Sequence, residues 1–419
     1  MIEPLLREWE AILEALLSGC VPERGLRHIQ AGRSDELQKI TADLTHVAEG
    51  GGRLRFVVGE HGSGKTFFLN LAGEIALRER FVVTYAGFTK DRLLVLPSGQ
   101  ARARAFTFYL MRNMATRSKP GGGALAGIIE RFISETEEKA HSYGIPIEVM
   151  LYERLDDLVE LAGGSDFIQA IITYWRGHEQ GNWQHRADAL RWLRVGFSSN
   201  AESQHAMGVD AMDHHGMVAD HLALWGRFVR CAGYSGLAVC LDDLVHLYRL
   251  PDPGIRDMNY SELQRMLIHA HQGMSNGLYV LAGGPPEVFM DTRKGLFSVP
   301  QLRAQLMESR ITLADSFLQL RVLTSRDLFV FFRTIRDLFV KSRPLAGILP
   351  DAGIRAFMDY CALVLGDQCF RRPRAAIANF AQLLLLLEKN PRVPWQQLVS
   401  SMKIELDCMP HLKVLPACL

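Results

Sequence analysis

The sequence predicts an α/β fold: a parallel sheet around a P-loop, broken by a helical insertion and followed by an all-helical C-terminal lid. Three observations predict it. Arg53-Leu-Arg-Phe-Val-Val58 reads as a short strand that runs directly into Gly59-Glu-His-Gly-Ser-Gly-Lys-Thr66, a full match to G-x-x-x-x-G-K-[ST]. Phe67 to Leu77 continues as a helix and Phe81-Val-Val-Thr-Tyr85 as the next strand, a βαβ unit that requires parallel strands covered on both faces. From Thr324 onward one helical pattern follows another.

The composition sets the bounds. A chain of 419 residues that is 48% hydrophobic can build a sizeable core, and its length predicts two or three packed subdomains. The 47 Lys+Arg against 46 Asp+Glu exclude a globally basic nucleic-acid coat while leaving room for a local patch. No run reaches the length of an apolar membrane span, so no membrane partner is expected. The start, Met1-Ile-Glu-Pro-Leu-Leu-Arg-Glu-Trp-Glu10, is charged and helix-like rather than a signal peptide. Cys20, Cys231, Cys240, Cys361, Cys369, Cys408 and Cys418 form no C-x-x-C pair and no Cys/His metal spacing. Such a set is expected to be reduced thiols in a cytoplasmic protein.

Along the chain, Leu5, Leu6, Trp9, Ile12, Leu13 and Leu16 mark an amphipathic helix that ends near Gly19. Ser34 would cap a second helix to Glu49, which Gly50-Gly51-Gly52 stops. From about 101 to 230 helical periodicity dominates: Phe106–Met114, Ala124–Ser134, Ile147–Leu161, Phe167–Trp175, Ala187–Val195 and Met217–Cys231. Strands resume at Gly236–Leu241 and Gly277–Ala282, on either side of a helix over Ser261–Gln272, so the helical stretch is an insertion. The lid helices are expected at Ser325–Val340, Pro350–Leu365, Arg374–Glu388 and Trp395–Met402. The organisation is therefore a 1–30 helical segment, a 31–320 core and a 321–419 lid.

The loop carries the chemistry. Its glycines let successive amides (Gly59, Glu60, His61, Gly62, Ser63, Gly64) point into one concavity that binds phosphate oxygens, with Phe67 opening the helix behind it. Lys65 should reach the β- and γ-phosphates of ATP, and the Thr66 hydroxyl should ligate Mg²⁺. A partner carboxylate is supplied by Leu237-Ala-Val-Cys-Leu-Asp-Asp243: Asp242 as a Walker B magnesium residue, Asp243 where many ATPases carry the acid that orients the attacking water. Asp243 is a methylene shorter than glutamate, so binding is read more firmly than hydrolysis.

Other positions leave alternatives open. Gly32-Arg33 with Glu36-Leu37 resembles the nucleotide-proximal box of AAA+ and STAND-type ATPases, in which the loop covers the adenine; it is also an ordinary helix start. Arg371-Arg-Pro-Arg374 opens a lid helix, and Arg374 is either a γ-phosphate sensor or part of a surface turn. Arg303 and Arg310 suit an arginine finger toward a neighbouring subunit of a homo-oligomer, or surface ion pairs. Ala282-Gly-Gly-Pro-Pro286 lacks the polar residue that AAA+ proteins place after this strand. Arg92, Arg102, Arg104, Arg112, Arg117 and Lys119 lie in a stretch without acids, laced with Phe106, Phe108 and Tyr109. That stretch either follows a DNA backbone or is a solvated helix face. His214, His215, His269 and His271 lack companions for a metal site.

Taken together, these segments resemble the ATP-binding proteins of BREX phage-defence systems. The likeness runs from Gly32-Arg33 and Glu36-Leu37 through Phe56–Leu69, Gly122-Gly-Ala-Leu125, Ala189-Leu-Arg-Trp-Leu193, Gly233–Val245 and Asn259-Tyr260 to Gly295-Leu-Phe297, Leu302-Arg303 and Arg372-Pro-Arg374. It spans roughly residues 20 to 390. The resemblance implies an AAA+-like ATPase, related to origin-recognition and STAND proteins, that is encoded beside a large helicase. Three positions depart from it. Asp242-Asp243 stands for Asp-Glu, Ala-Gly-Gly-Pro for Ala-Gly-Thr-Pro, and Leu302-Arg-Ala-Gln305 for Leu-Arg-Ser-Arg. The expected function is an ATP- and Mg²⁺-binding defence ATPase that couples nucleotide state to conformational change and to a helicase or DNA partner. The alternative is a slow or inactive nucleotide-dependent scaffold or switch.

Overall fold

The structure is a computed structural model that describes residues 2–18, 20–22, 24–95, 104–211, 218–299, 316–342, 349–366 and 373–404. Two compact units divide the chain. One comprises Met1–Leu37, Val58–Glu74 and Gln319–Leu419; the other comprises Gln38–Val57 and Ile75–Leu318.

The second unit holds the sheet. Strands β1 (Arg53–Val58), β2 (Val82–Gly87), β3 (Leu237–Asp242), β4 (Leu278–Gly284) and β5 (Phe317–Gln319) run in the order β2-β3-β4-β1-β5. β2 and β3 are parallel, Val82 opposite Leu237 and Gly87 opposite Asp242; β3 and β4 are parallel, Leu237 opposite Leu278 and Leu241 opposite Ala282. Every residue of β4 and all but the last of β3 are buried, as continuous apolar runs between two covered faces require. Phe56 fixes β1 against Phe289 and Phe317, with ring centroids 5.2 and 5.1 Å away. β5 has only three residues and no alternation to read, and it was not expected from the sequence.

The insertion belongs to the same unit. After α1 (Ile2–Leu17), α2 (Leu26–Ile29), α3 (Ser34–Ala48) and α4 (Lys65–Arg78), it supplies α5 (Arg104–Arg112), α6 (Leu125–Tyr143), α7 (Ile147–Leu155), α8 (Gly164–Glu179), α9 (Trp183–Leu193), α10 (Asn200–Met207) and α11 (Val218–Cys231). Its core is aromatic: Phe167 meets Trp192, Trp225 and Phe228, and Phe228 also meets Phe132. Trp225 donates its indole N–H to His221 Nε2 at 3.1 Å. Burial drives the His221 pKa down to about 3, which keeps the ring a neutral acceptor. α12 (Val245–Tyr248) and α13 (Pro253–His271) follow β3, and α14 (Pro286–Met290) follows β4. α13 starts eight residues before the expected Ser261, because Asp252 caps it through the Ile255 N–H and Pro253 sits in its first turn.

The first unit carries the lid helices α15 (Ser325–Ser342), α16 (Asp351–Leu365), α17 (Arg374–Lys389) and α18 (Trp395–Ser401), close to their expected bounds. Phe332 packs on Phe357 and Phe380 in their core. The N-terminal helix α1 lies against α15 and α17, with Lys341 Nζ over the Trp9 ring.

Candidate nucleotide site

The loop Gly59–Thr66 leaves β1 and enters α4 at Lys65. Its curl needs glycine at two kinds of position. Gly62 and Gly64 adopt φ of 80° and 90°, where a side chain is strained. At Gly59 space is short, since a Cβ would meet the Ser63 hydroxyl and push it aside. The turn is closed by Ser63 N–H donating to Glu60 O and by Phe68 N–H donating to Gly64 O. Lys65 folds over the loop and donates to the carbonyls of Gly59 and Glu60, each at 2.8 Å. An ammonium at the mouth of a loop that opens a helix is an anion-binding arrangement. Glu60, His61 and Thr66 are exposed, and Gly62, Ser63, Gly64, Lys65 and Phe67 half-buried.

Gly32 and Arg33 lie in the same unit, at successive left-handed φ of 67° and 66° just before α3. The Arg33 guanidinium donates to Ser63 O at 2.9 Å and to Arg321 O at 2.6 Å, and lies 3.5 Å from Glu36 Oε1. Glu36 in turn accepts the Arg321 N–H at 3.1 Å. Burial pulls the Arg33 pKa down, and the charges of Glu36 and Asp327 oppose that pull. Its side chain therefore clamps protein to protein, a contact that the local pattern Gly-Arg-x-x-Glu-Leu did not reveal.

Asp242 and Asp243 end β3 in the second unit. Asp242 is half-buried and its Oδ1 accepts the Asp243 N–H at 2.8 Å. Asp243 is exposed with φ of 59°, and its Oδ2 lies 3.9 Å from where a Cβ on Gly87 would stand, so it leans over the end of β2. Arg92 donates to Gly87 O at 3.3 Å beside it. Two hard oxygen donors, a Thr hydroxyl and a carboxylate, are the chemistry Mg²⁺ takes. Among the described residues no group of three or more His, Cys, Asp or Glu makes a metal centre of its own.

Arg374 is the exposed first residue of α17. Arg102, Arg303 and Arg310, with His214, His215, Leu302 to Gln305, Arg371 and Arg372, lie outside the described residues. Of the basic stretch, Arg104 is spent on the carbonyls of Val195 (3.1 Å) and Gly196 (2.7 Å), and Arg92 stacks on Tyr109. Arg112, Arg117 and Lys119 are exposed, Lys119 donating to Gly123 O, and Phe108 stands 39% exposed among them.

An α/β core whose strand β1 runs into a glycine-rich loop with an ammonium at its mouth is a P-loop type of core. The sequence profile of the BREX system ATP-binding protein family, BrxC/D, matches residues 6–403, and the chain belongs to that family. With the family come ATP binding and a role in phage defence. Comparison with curated proteins and with solved structures gives no match. Among the described residues no helix is long and apolar enough to cross a membrane.

Proposed function

We propose that the chain binds ATP with its triphosphate on the loop Gly59–Thr66 and uses nucleotide state to set the position of its lid, for a helicase or DNA partner in the defence system. The observation that carries this reading is Lys65, held over the loop by the Gly59 and Glu60 carbonyls, within a chain that belongs to an ATP-binding family. Lys65 would exchange those neutral acceptors for phosphate oxygens, a stronger charge-assisted pairing. Thr66 and Asp242 are each proposed as an oxygen donor to magnesium, which would supply charge neutralisation to the triphosphate. Gly32 and the backbone at Arg33 would border the nucleoside, and Arg374 would sense the γ-phosphate from α17, with Arg303 or Arg310 completing a neighbouring copy's site.

A second reading is supported by Asp243. Its left-handed backbone and its lean toward Gly87 suit a residue that does not orient water, and hence a slow or inactive switch that assembles on ATP. Phosphate release with and without duplex DNA separates the two. DNA-stimulated turnover supports the ATPase; ATP-dependent oligomerisation without turnover supports the switch.

A further inference from the structure

Arg33 holds a conformation that L side chains rarely adopt, a strain that its surroundings must offset. The offset is visible in its acceptors. One guanidinium nitrogen takes the carbonyl of Ser63 inside the phosphate-binding loop, and the other takes the carbonyl of Arg321 on the approach to α15. Glu36, itself buried, closes the circuit by accepting the Arg321 N–H, and Asp35 pairs with the Arg321 guanidinium at 2.5 Å. Three residues on, Thr324 and Asp327 form a reciprocal cap on α15: Asp327 Oδ2 accepts the Thr324 N–H at 2.9 Å and Thr324 Oγ1 accepts the Asp327 N–H at 3.2 Å. That cap sits on Gly32, where a Cβ would come within 3.0 Å of Asp327 Cγ. Loop, α3 start and α15 start are thus joined through one side chain, all inside one compact unit.

We infer that Arg33 is a positioning residue that ties the phosphate-binding loop to the first turn of lid helix α15, so that a ligand drawing on the loop also moves that turn. The inference rests on the nucleotide-binding reading for its ligand, and it deepens that reading by naming the linkage. A planar fork suits the task, because two donors in fixed geometry hold two carbonyls at once, whereas a lysine offers a single flexible ammonium.

The test is hydrogen–deuterium exchange on the full chain, wild type and Arg33→Gly, with and without saturating ATP·Mg²⁺. Glycine accepts φ of 66°, so the variant removes the side chain without adding backbone strain. In the wild type, ATP should slow exchange by about fivefold or more both in 59–67 and in 321–328. With nucleotide raised to saturate each protein whatever its affinity, Arg33→Gly should lose the response in 321–328 while a response in 59–67 remains. An unchanged nucleotide response at 321–328 in the variant overturns the inference. Arg33→Lys, which retains the cation, should restore only part of the response, and it replaces the glycine variant if that one does not fold. The ligand-free proteins form a separate arm: loss of Arg33 should speed exchange in 59–67 and 321–328 together, by about threefold or more. An effect confined to α3 overturns the tie even where ATP binds, while a wild type that gives no heat with ATP removes the nucleotide reading and leaves this arm to decide.

Discussion

Asp43→Ala removes the buried carboxylate that anchors β1 through Arg55. Asp43 is 3% exposed; its oxygens take Arg55 Nε at 2.5 Å and Nη2 at 2.6 Å, the Tyr279 hydroxyl at 2.9 Å, and Arg53 Nε lies 3.4 Å away. Burial alone would pull the Arg55 guanidinium down, but the bonds and charge of Asp43 outweigh it and hold the pKa above the ordinary arginine value. Without Asp43 a buried cation is left uncompensated, which costs about 3–5 kcal/mol. At about 2 °C per kcal/mol for a unit of this size, scanning calorimetry should show the sheet-bearing unit melting about 6–10 °C lower. The double variant Asp43→Ala/Arg55→Met should recover most of that loss, because the stranded charge goes with the arginine. A single variant costing under about 1 kcal/mol, or a double variant as unstable as the single, would refute the reasoning.

The remaining predictions concern protonation, the loop and the basic face. Glu262 is 1% exposed and burial lifts its pKa to about 7; it faces the N–H groups of Val218 and Ala219, with Asp220 and Arg265 beside it. A raised carboxyl favours the folded state below pH 4.5 and loses that contribution as pH rises through 7, so Glu262→Gln should stabilise the protein at pH 8, by up to about 3 kcal/mol, and not at pH 4.5. Equal melting shifts at both pH values would contradict this. Gly59→Ala should weaken ATP binding by about threefold, measured by calorimetry, since its Cβ would push the Ser63 hydroxyl aside, and adding Ser63→Ala should restore much of it. If the exposed basic face follows DNA, Arg112→Glu/Arg117→Glu should lower duplex affinity in fluorescence polarisation and flatten its salt dependence by about two phosphate contacts; unchanged affinity removes the face from any DNA site.

The parts of this fold that read from sequence are those written in short-range chemistry. The apolar triplet 56–58, the glycine spacing 59–64 and the helix behind them are local patterns, and the structure places β1, the loop and α4 there. Asp252-Pro253 is an equally local start signal for α13, eight residues ahead of the expected Ser261. β5 was not legible, since three residues held by Phe56 and by the Leu320 N–H on Val58 O carry no pattern of their own. Nor were the partners of Arg33 and Arg104 legible: Arg321 lies 288 residues from Arg33, and Val195 lies 91 residues from Arg104. Spacing could nominate Asp243 as a catalytic acid, but it did not reveal the left-handed backbone with which that residue leans over the end of β2.

The central claim is that Lys65 and the loop around it bind a triphosphate. Titration calorimetry of ATP·Mg²⁺ into the folded chain tests it most directly, with Lys65→Ala beside the wild type. Loss of one charge-assisted contact predicts a saturable heat for the wild type and an affinity lower by about tenfold or more for the variant. No heat from the wild type, or equal affinity in the two proteins, would contradict it.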